Sequence, residues 1–126
     1  MGLGHEKLDV YRLSIEYVAW VYEKAGSLTS VHRPARDQWL RASQSIPLNI
    51  AAGNGKTAQA DRRRYFEIAR GSAVKCAAIQ DVLVVGNALE EAESEERKTV
   101  GRSSVAYVRP LRPLAGRRSS CVEYRI

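Results

Sequence analysis

The stretch SIPLNIAAGNGKT, residues 45–57, decides between two folds for this chain of 126 residues. Its last three letters, GKT, are those that close a nucleotide-binding phosphate loop, in which G-x-x-x-x-G-K-[ST] follows a strand. Here the position of the first glycine is Ile50, and the preceding residues have helical periodicity. Because a backbone without both glycines and the strand cannot wrap around phosphates, we expect a corner between two helices. Gly53 and Gly55 would permit the tight reversal.

Apolar stripes predict a long helix on each side of this corner. The preceding helix is expected from near Pro34 to about Ala52, with an inward stripe at Trp39, Ser43, Ile46, Ile50 and Gly53. The following helix is expected from near Thr57 to about Leu89, capped by Thr57 or Asn54. Its inward stripe is Phe66, Ala69, Ala73, Cys76, Ile79 and Leu83. Four basic side chains lie on the opposite arc: Arg63, Arg64, Arg70 and Lys75.

The first helix, residues 7–25, carries two apolar stripes and ends at Gly26. One stripe steps by three and four residues through Leu8, Tyr11, Ile15, Val18, Tyr22 and Ala25. A second, well round the helix, steps in the same way through Val10, Leu13, Tyr17 and Trp20. Since a helix in one bundle needs only one stripe, we expect the second to be a subunit interface, against the alternative of scattered surface apolars.

A fourth helix is expected to begin with Ser94 as its cap and Glu95 and Glu96 in its first turn. Its inward residues would be Val100, Val105, Val108 and Leu111, before Pro110 and Pro113 kink or end it. Four helices with short connections predict an all-α, antiparallel up-down four-helix bundle. Residues 1–115 would form this domain, and residues 116–126 a basic, poorly ordered tail.

A polar motif inside the second helix is expected to have a structural role. Pro47 cannot donate a backbone hydrogen bond, and Ser45 and Asn49 stand one helical turn apart beside the apolar stripe. Asn49 is expected to be buried, to hydrogen-bond across the interface with the third helix near the small residues Gly71 and Ser72, and to bind no nucleotide.

The basic charges are clustered along the sequence. The net charge is +6, and residues 33–80 hold nine basic and three acidic side chains. Residues 81–96 hold six acidic and no basic ones, and residues 97–126 hold eight basic and one acidic. Clustered basic charge favours a polyanionic partner, because neutralised phosphates release counterions, although a solvated surface that binds nothing would have the same composition.

The residues offer little support for catalysis or metal binding. The two histidines, His5 and His32, have no cysteine or carboxylate at ligand spacing, and Cys76 lies in an apolar run typical of a buried small side chain. No run of about 18 apolar residues and no secretory leader is present. We therefore expect a cytoplasmic protein that is no enzyme and has no cofactor or metal.

Three stretches together resemble a known bacterial family: LDVY (residues 8–11), RASQSIPLNIAAG (residues 41–53) and YFEIARGS (residues 65–72). This is the four helix bundle protein family, best known from proteins encoded in intervening sequences of 23S ribosomal RNA genes. The accessory variability protein of diversity-generating retroelements belongs to the same group. Two positions depart from its pattern: Ala52 stands where the family usually has an acidic residue, and relatives generally lack a proline pair such as Pro110 and Pro113.

The resemblance implies a cyclic homo-oligomer, typically a pentamer, with a basic surface that in the retroelement relatives is associated with nucleic acid and a reverse transcriptase. We therefore expect RNA or DNA binding through phosphate contacts, by Arg41, Lys56, Arg63, Arg64, Arg70 and Lys75. Few aromatic residues alternate with these charges, so base stacking and sequence readout are not indicated. The alternatives are an adaptor for an acidic protein partner, such as a polymerase or the acidic segment of a neighbouring subunit, and a structural ring without a polyanionic partner.

Overall fold

The computed structural model describes Gly4 and residues 8–98, and this part of the chain contains four α-helices and no strand. The helices are α1 (Asp9–Ala25), α2 (Arg33–Asn54), α3 (Gln59–Val85) and α4 (residues 91–98), with a short 3-10 helix (Ser30–His32) between the first two. The prediction of an all-α four-helix fold is therefore confirmed. Across the described residues, no helix is long and apolar enough to cross a lipid bilayer.

The inward stripes predicted for α2 and α3 are confirmed at every position. All eleven residues are buried, and Trp39, Ile50 and Phe66 are completely enclosed. Steps of three and four residues place these side chains on one face of each helix, so the two helices share one apolar core. The helices pack closely at Gly53, where an added Cβ would lie 2.7 Å from the Cε1 atom of Phe66.

The predicted interface on α1 is wrong, because that stripe is buried inside the chain. Val10, Tyr17 and Trp20 are only 0%, 5% and 3% exposed, and Leu13 is half-buried. The Trp20 and Trp39 rings meet edge to face, with centroids 5.3 Å apart. Burial here is favourable because the aromatic rings fill the core and their polar atoms find partners in other helices.

The other α1 stripe is divided between core and surface, and Leu8 and Tyr11 at its start pack against the core. Ile15 and Tyr22 are 44% and 57% exposed, although Ala25 at the end of the same stripe is buried. The sequence periodicity identified both stripes but assigned the subunit interface to the one that is buried in the core.

The corner between α2 and α3 differs in detail from the prediction. Gly53 lies within α2, and Gly55 follows the helix with a φ of −81°, so neither glycine uses the left-handed conformation. The residue before α3 is Ala58, which provides no side-chain cap. Capping by Asn54 or Thr57 is therefore wrong, and hydrogen bonds from Arg62, described below, hold the corner instead.

The start of α4 also differs from the prediction. The helix begins at residue 91, so Ser94 lies within it and is buried rather than acting as its cap. Ser94 is buried because its carbonyl and hydroxyl oxygens accept hydrogen bonds from the core side chain Gln80. The predicted inward residues Val100, Val105, Val108 and Leu111, and the tail at 116–126, lie outside the described residues.

A chain of buried hydrogen bonds joins all four helices. Trp39 Nε1 of α2 donates to the Tyr17 hydroxyl of α1 at 3.0 Å, and that hydroxyl donates to Gln80 Oε1 of α3 at 2.5 Å. Gln80 Nε2 in turn donates to the backbone carbonyl of Ser94 in α4 at 3.0 Å. Burial raises the pKa of Tyr17 far above its usual value, so its hydroxyl stays protonated and can keep donating.

Candidate nucleic-acid interface

Two serines make a side-chain contact between the middle parts of α2 and α3. Ser72 Oγ donates to Ser45 Oγ at 2.8 Å. Asn49 Nδ2 donates within α2, to the backbone carbonyl of Ser45 at 2.7 Å and to its hydroxyl at 2.9 Å. The prediction of a bond from Asn49 across the interface is therefore wrong, because the Ser45 oxygens lie one helical turn away and take both donors. Asn49 is half-buried and orients the serine that makes the contact.

Gly71 is not at the helix contact either. It is exposed in the middle of α3, and an added Cβ would meet no atom within 4 Å. The close approach that we expected near Gly71 occurs at Gly53, which is buried near the end of α2. Of the two small residues predicted on α3, only Ser72 contacts α2.

Four of the six predicted nucleic-acid contacts are exposed and form what we call the basic row: Arg41, Lys56, Arg64 and Lys75. Arg64 and Lys75 are eleven residues apart on nearly the same arc of α3, a separation of about 16 Å along the helix. Since Ser45 faces Ser72 and Gly53 faces Phe66, the antiparallel register places Arg41 of α2 at the level of Lys75. The basic row therefore follows the outer side of the α2 and α3 pair.

The remaining two predicted contacts, Arg63 and Arg70, lie on another flank of α3. They are seven residues apart, two helical turns, and both are half-buried. The Nε atom of each is enclosed and has no hydrogen-bond partner among the described residues. The structure thus separates these two arginines from the basic row.

Within the described residues, none of the six predicted side chains has a carboxylate within ion-pair distance. The ion pairs that do form there involve other cations: Lys24 with Glu93 at 2.8 Å, Arg36 with Asp37 at 3.1 Å, and Lys98 with both Asp81 and Glu95. The acidic segment (residues 81–96) therefore neutralises lysines of α1 and α4, and the basic row keeps its charge.

Glu93 connects the acidic segment to α1. Its Oε1 atom accepts hydrogen bonds from Lys24 Nζ at 2.8 Å and from Trp20 Nε1 at 2.9 Å. The hydrogen bond from Lys24, followed by that from Trp20, lowers the pKa of Glu93 below its usual value. This carboxylate attaches α4 to α1, and we assign it a structural role.

An aromatic ring and two cations meet at the end of the basic row. Lys56 Nζ lies 5.5 Å, and Arg64 Cζ 5.0 Å, from the ring centroid of Tyr65. Arg62 Nη1 donates to the backbone carbonyls of Asn54 at 3.3 Å and Lys56 at 3.2 Å. Arg62 therefore fixes the loop that presents Lys56 beside Tyr65.

Tyr65 and Arg62 were missed as functional candidates for a physical reason. Lys56 lies in the loop and Tyr65 lies nine residues further on, in α3, so no helical spacing links them. Arg62 acts on backbone carbonyls of the loop, which leave no signal in the sequence. The signal that was present is the direct succession of Arg64 and Tyr65 in the first turns of α3.

The described residues provide no other evident chemical centre. No group of three His, Cys, Asp or Glu side chains in this part of the chain is placed to hold a metal ion. Cys76 is buried in the core, and burial raises the pKa of its thiol to about 12, so the reactive thiolate is scarce at neutral pH.

Comparison with known proteins agrees with the family resemblance of the sequence motifs. The model of the 23S rRNA-intervening sequence protein family matches residues 6–101, which include all four described helices. No curated protein matches the chain significantly. The family match covers most of the sequence and contains the three stretches from which the resemblance was inferred. This chain is therefore a member of the 23S rRNA-intervening sequence protein family.

Proposed function

We propose that this chain is a non-enzymatic protein that binds RNA or DNA through phosphate contacts made by the basic row. The observation that carries the proposal is that Arg41, Lys56, Arg64 and Lys75 are exposed and lack a carboxylate partner among the described residues. A row of unneutralised cations attracts a polyanion because binding releases its condensed counterions. Contacts of this kind fix position and do not read sequence, so affinity should vary little between unrelated sequences.

The test replaces three exposed cations, Arg41, Lys75 and Arg64, by glutamine in one variant. Fluorescence anisotropy should show weaker binding to mixed-sequence duplexes at low salt. The slope of log K against log salt should become shallower by up to about 2.7, because each lost phosphate contact contributes about 0.9. The matched control is Arg36→Gln, which removes an arginine already paired with Asp37. Equal salt slopes for the triple variant and the wild type would contradict phosphate binding by the basic row.

A protein-interaction adaptor is the second candidate, favoured by an exposed apolar face of α3. Residues at steps of three, four, four and three, opposite the core, form what we call the valine stripe: Gly71, Val74, Ala78, Val82 and Val85. Its three valines are 59%, 60% and 84% exposed. Contiguous exposed apolar side chains are typical of protein contact sites.

A separate experiment tests whether the valine stripe binds a protein partner. Changing Val74 and Val82 to glutamate should abolish co-purification with an acidic partner, such as a reverse transcriptase encoded beside the gene, and leave nucleic-acid affinity unchanged. Loss of nucleic-acid binding in this variant would mean that the valine stripe belongs to the nucleic-acid surface.

We further propose that the protein is cytoplasmic and forms a homo-oligomer, a pentamer by family resemblance. Val10, Tyr17 and Trp20 cannot make the subunit contact, since the core of one chain already buries them. The exposed residues Ile15 and Tyr22 of α1 remain available for it. Light scattering at micromolar concentration should give a multiple of the chain mass of 14.0 kDa, and a monomeric mass would contradict self-association.

A further inference from the structure

Tyr65 is held in a fixed position at the end of the basic row. Its Cβ atom packs against α2 at Gly53, where an added Cβ would lie only 3.1 Å away. The residue as a whole is half-buried, so it is packed against the neighbouring helix and still partly accessible to solvent. A ring on a fixed stem loses little conformational freedom when another planar group stacks on it.

The two cations beside this ring contact the tyrosine itself, and Arg64 Nη2 also donates a hydrogen bond of 3.4 Å to the Tyr65 hydroxyl. Lys56 and Arg64 are exposed, and neither forms an ion pair with a described residue. Two positive groups at one ring repel each other, and phosphates would relieve that repulsion. Lysine is a point charge on a flexible stem, so its ammonium can leave the ring for a phosphate and uncover the aromatic face.

A nucleotide in a single strand combines the two groups that this cluster can bind. Its base has a π-face that stacks on aromatic side chains, and its flanking phosphates bind cations. A base inside a duplex is already stacked on its neighbours and does not offer its face. An arrangement of this kind would favour single strands over duplexes, whereas phosphate contacts alone would bind both.

We infer that Tyr65 is a stacking platform for one base of a single-stranded nucleic acid, whose adjacent phosphates bind Lys56 and Arg64. This inference rests on the proposed function and adds a preference for single strands. It replaces the expectation from sequence that base stacking plays no part, because the structure brings an aromatic ring to the basic row.

The experiment measures anisotropy for three labelled ligands of equal length at one salt concentration: a mixed-sequence single strand, an abasic single strand and a duplex. The wild type should bind the base-containing strand at least about fivefold more tightly than the abasic strand, the lower end of stacking contributions per base. Tyr65→Leu should lower affinity for the base-containing strand by about 5- to 150-fold. Its affinity for the abasic strand and the duplex should stay within about twofold.

Two variants control for indirect effects. Tyr65→Phe keeps the ring and should retain the preference for bases, whereas Leu48→Ala removes an exposed apolar side chain of α2 and should change nothing. Because Tyr65 packs on α2, the melting temperature of each variant is recorded to show that it is folded. The comparison between base-containing and abasic strands uses the wild type alone and does not depend on any variant.

The outcomes separate the two proposals. Equal wild-type affinity for the base-containing and abasic strands would overturn the stacking platform and leave phosphate binding standing. An equal loss on both strands in a folded Tyr65→Leu variant would also overturn it, since the ring would then act on phosphate contacts alone. Failure of the wild type to bind any of the three ligands would overturn the proposed function together with this inference.

Discussion

Tyr17 owes its place in the core to the partners of its hydroxyl group. The hydroxyl accepts a hydrogen bond from Trp39 and donates one to Gln80, so three polar side chains are satisfied where water is excluded. An unpaired polar atom in such surroundings loses the full free energy of its hydration. A tyrosine on an apolar stripe therefore indicates a core position only when the fold supplies these partners.

Tyr17→Phe should destabilise the protein by about 1–3 kcal/mol, because it leaves Trp39 Nε1 and Gln80 Oε1 buried without their partner. Urea unfolding measures the change. Tyr22→Phe is the matched control, since its exposed hydroxyl accepts a hydrogen bond from Gln44 that water can replace, and it should change stability by less than about 0.5 kcal/mol. Similar losses of stability in both variants would show that the buried hydrogen bonds of Tyr17 stabilise the protein no more than the exposed one of Tyr22.

At the scale of elements, two helical glycines have opposite surroundings. Gly53 allows α2 to approach the Phe66 ring, whereas Gly71 lies on the open side of α3. Glycine within a helix is unfavourable relative to alanine because the unfolded chain has more freedom to lose. Close packing offsets this disadvantage at Gly53, and no contact within the chain offsets it at Gly71.

Gly53→Ala should therefore lower the free energy of unfolding by about 1–3 kcal/mol, since its Cβ would meet a buried aromatic ring that cannot move freely. Gly71→Ala should raise it by about 0.4–1 kcal/mol. Chemical denaturation of both variants gives the two signs under identical conditions. A destabilising Gly71→Ala would indicate that a subunit or partner occupies the space above α3.

The helices differ in how much of their packing could be predicted from the sequence. The stripes of α2 and α3 could be predicted completely because each of these helices has its inward residues in one unbroken row. For α1, two rows had equal periodicity, and the choice depended on the Trp39 and Gln80 side chains that receive Tyr17. For the candidate site, exposure of Arg64 and Lys75 followed from helical spacing, whereas the contact of Lys56 with Tyr65 depends on the path of the corner.

At the scale of the whole molecule, charge is divided between two regions. The acidic segment pairs with Lys24 and Lys98 and attaches α4 to the bundle, while the basic row remains without acidic partners among the described residues. The hydrogen bond that Lys98 donates to Asp81 raises the pKa of Lys98, so this lysine stays charged throughout the neutral range. Acid pH therefore weakens the attachment of α4 by protonating carboxylates.

Glu93→Gln should reduce stability at pH 7, with a difference from wild type that shrinks on acidification. The pKa of Glu93 in the folded chain lies below its usual value of 4.5, so its contribution is present above that value and is lost as the pH falls through the folded pKa. Urea midpoints at pH 7 and pH 3 measure the effect. Glu91→Gln, at an exposed position of α4, serves as control for the loss of one acidic side chain, and a constant difference for Glu93→Gln would contradict the linkage.

The buried hydrogen-bond chain through Tyr17 also has a consequence for synthesis on the ribosome. The link from Tyr17 to Gln80 spans 63 positions of the sequence, and the link from Gln80 to Ser94 spans 14. The side chain of Gln80 can therefore complete its hydrogen bonds only after Ser94 has left the exit tunnel. Until then, the side-chain amide of Gln80 in a nascent three-helix chain still needs water as its hydrogen-bond acceptor. Translation must therefore deliver nearly the whole described sequence before the interior can close, and a pause before α4 leaves an open intermediate for chaperones to bind.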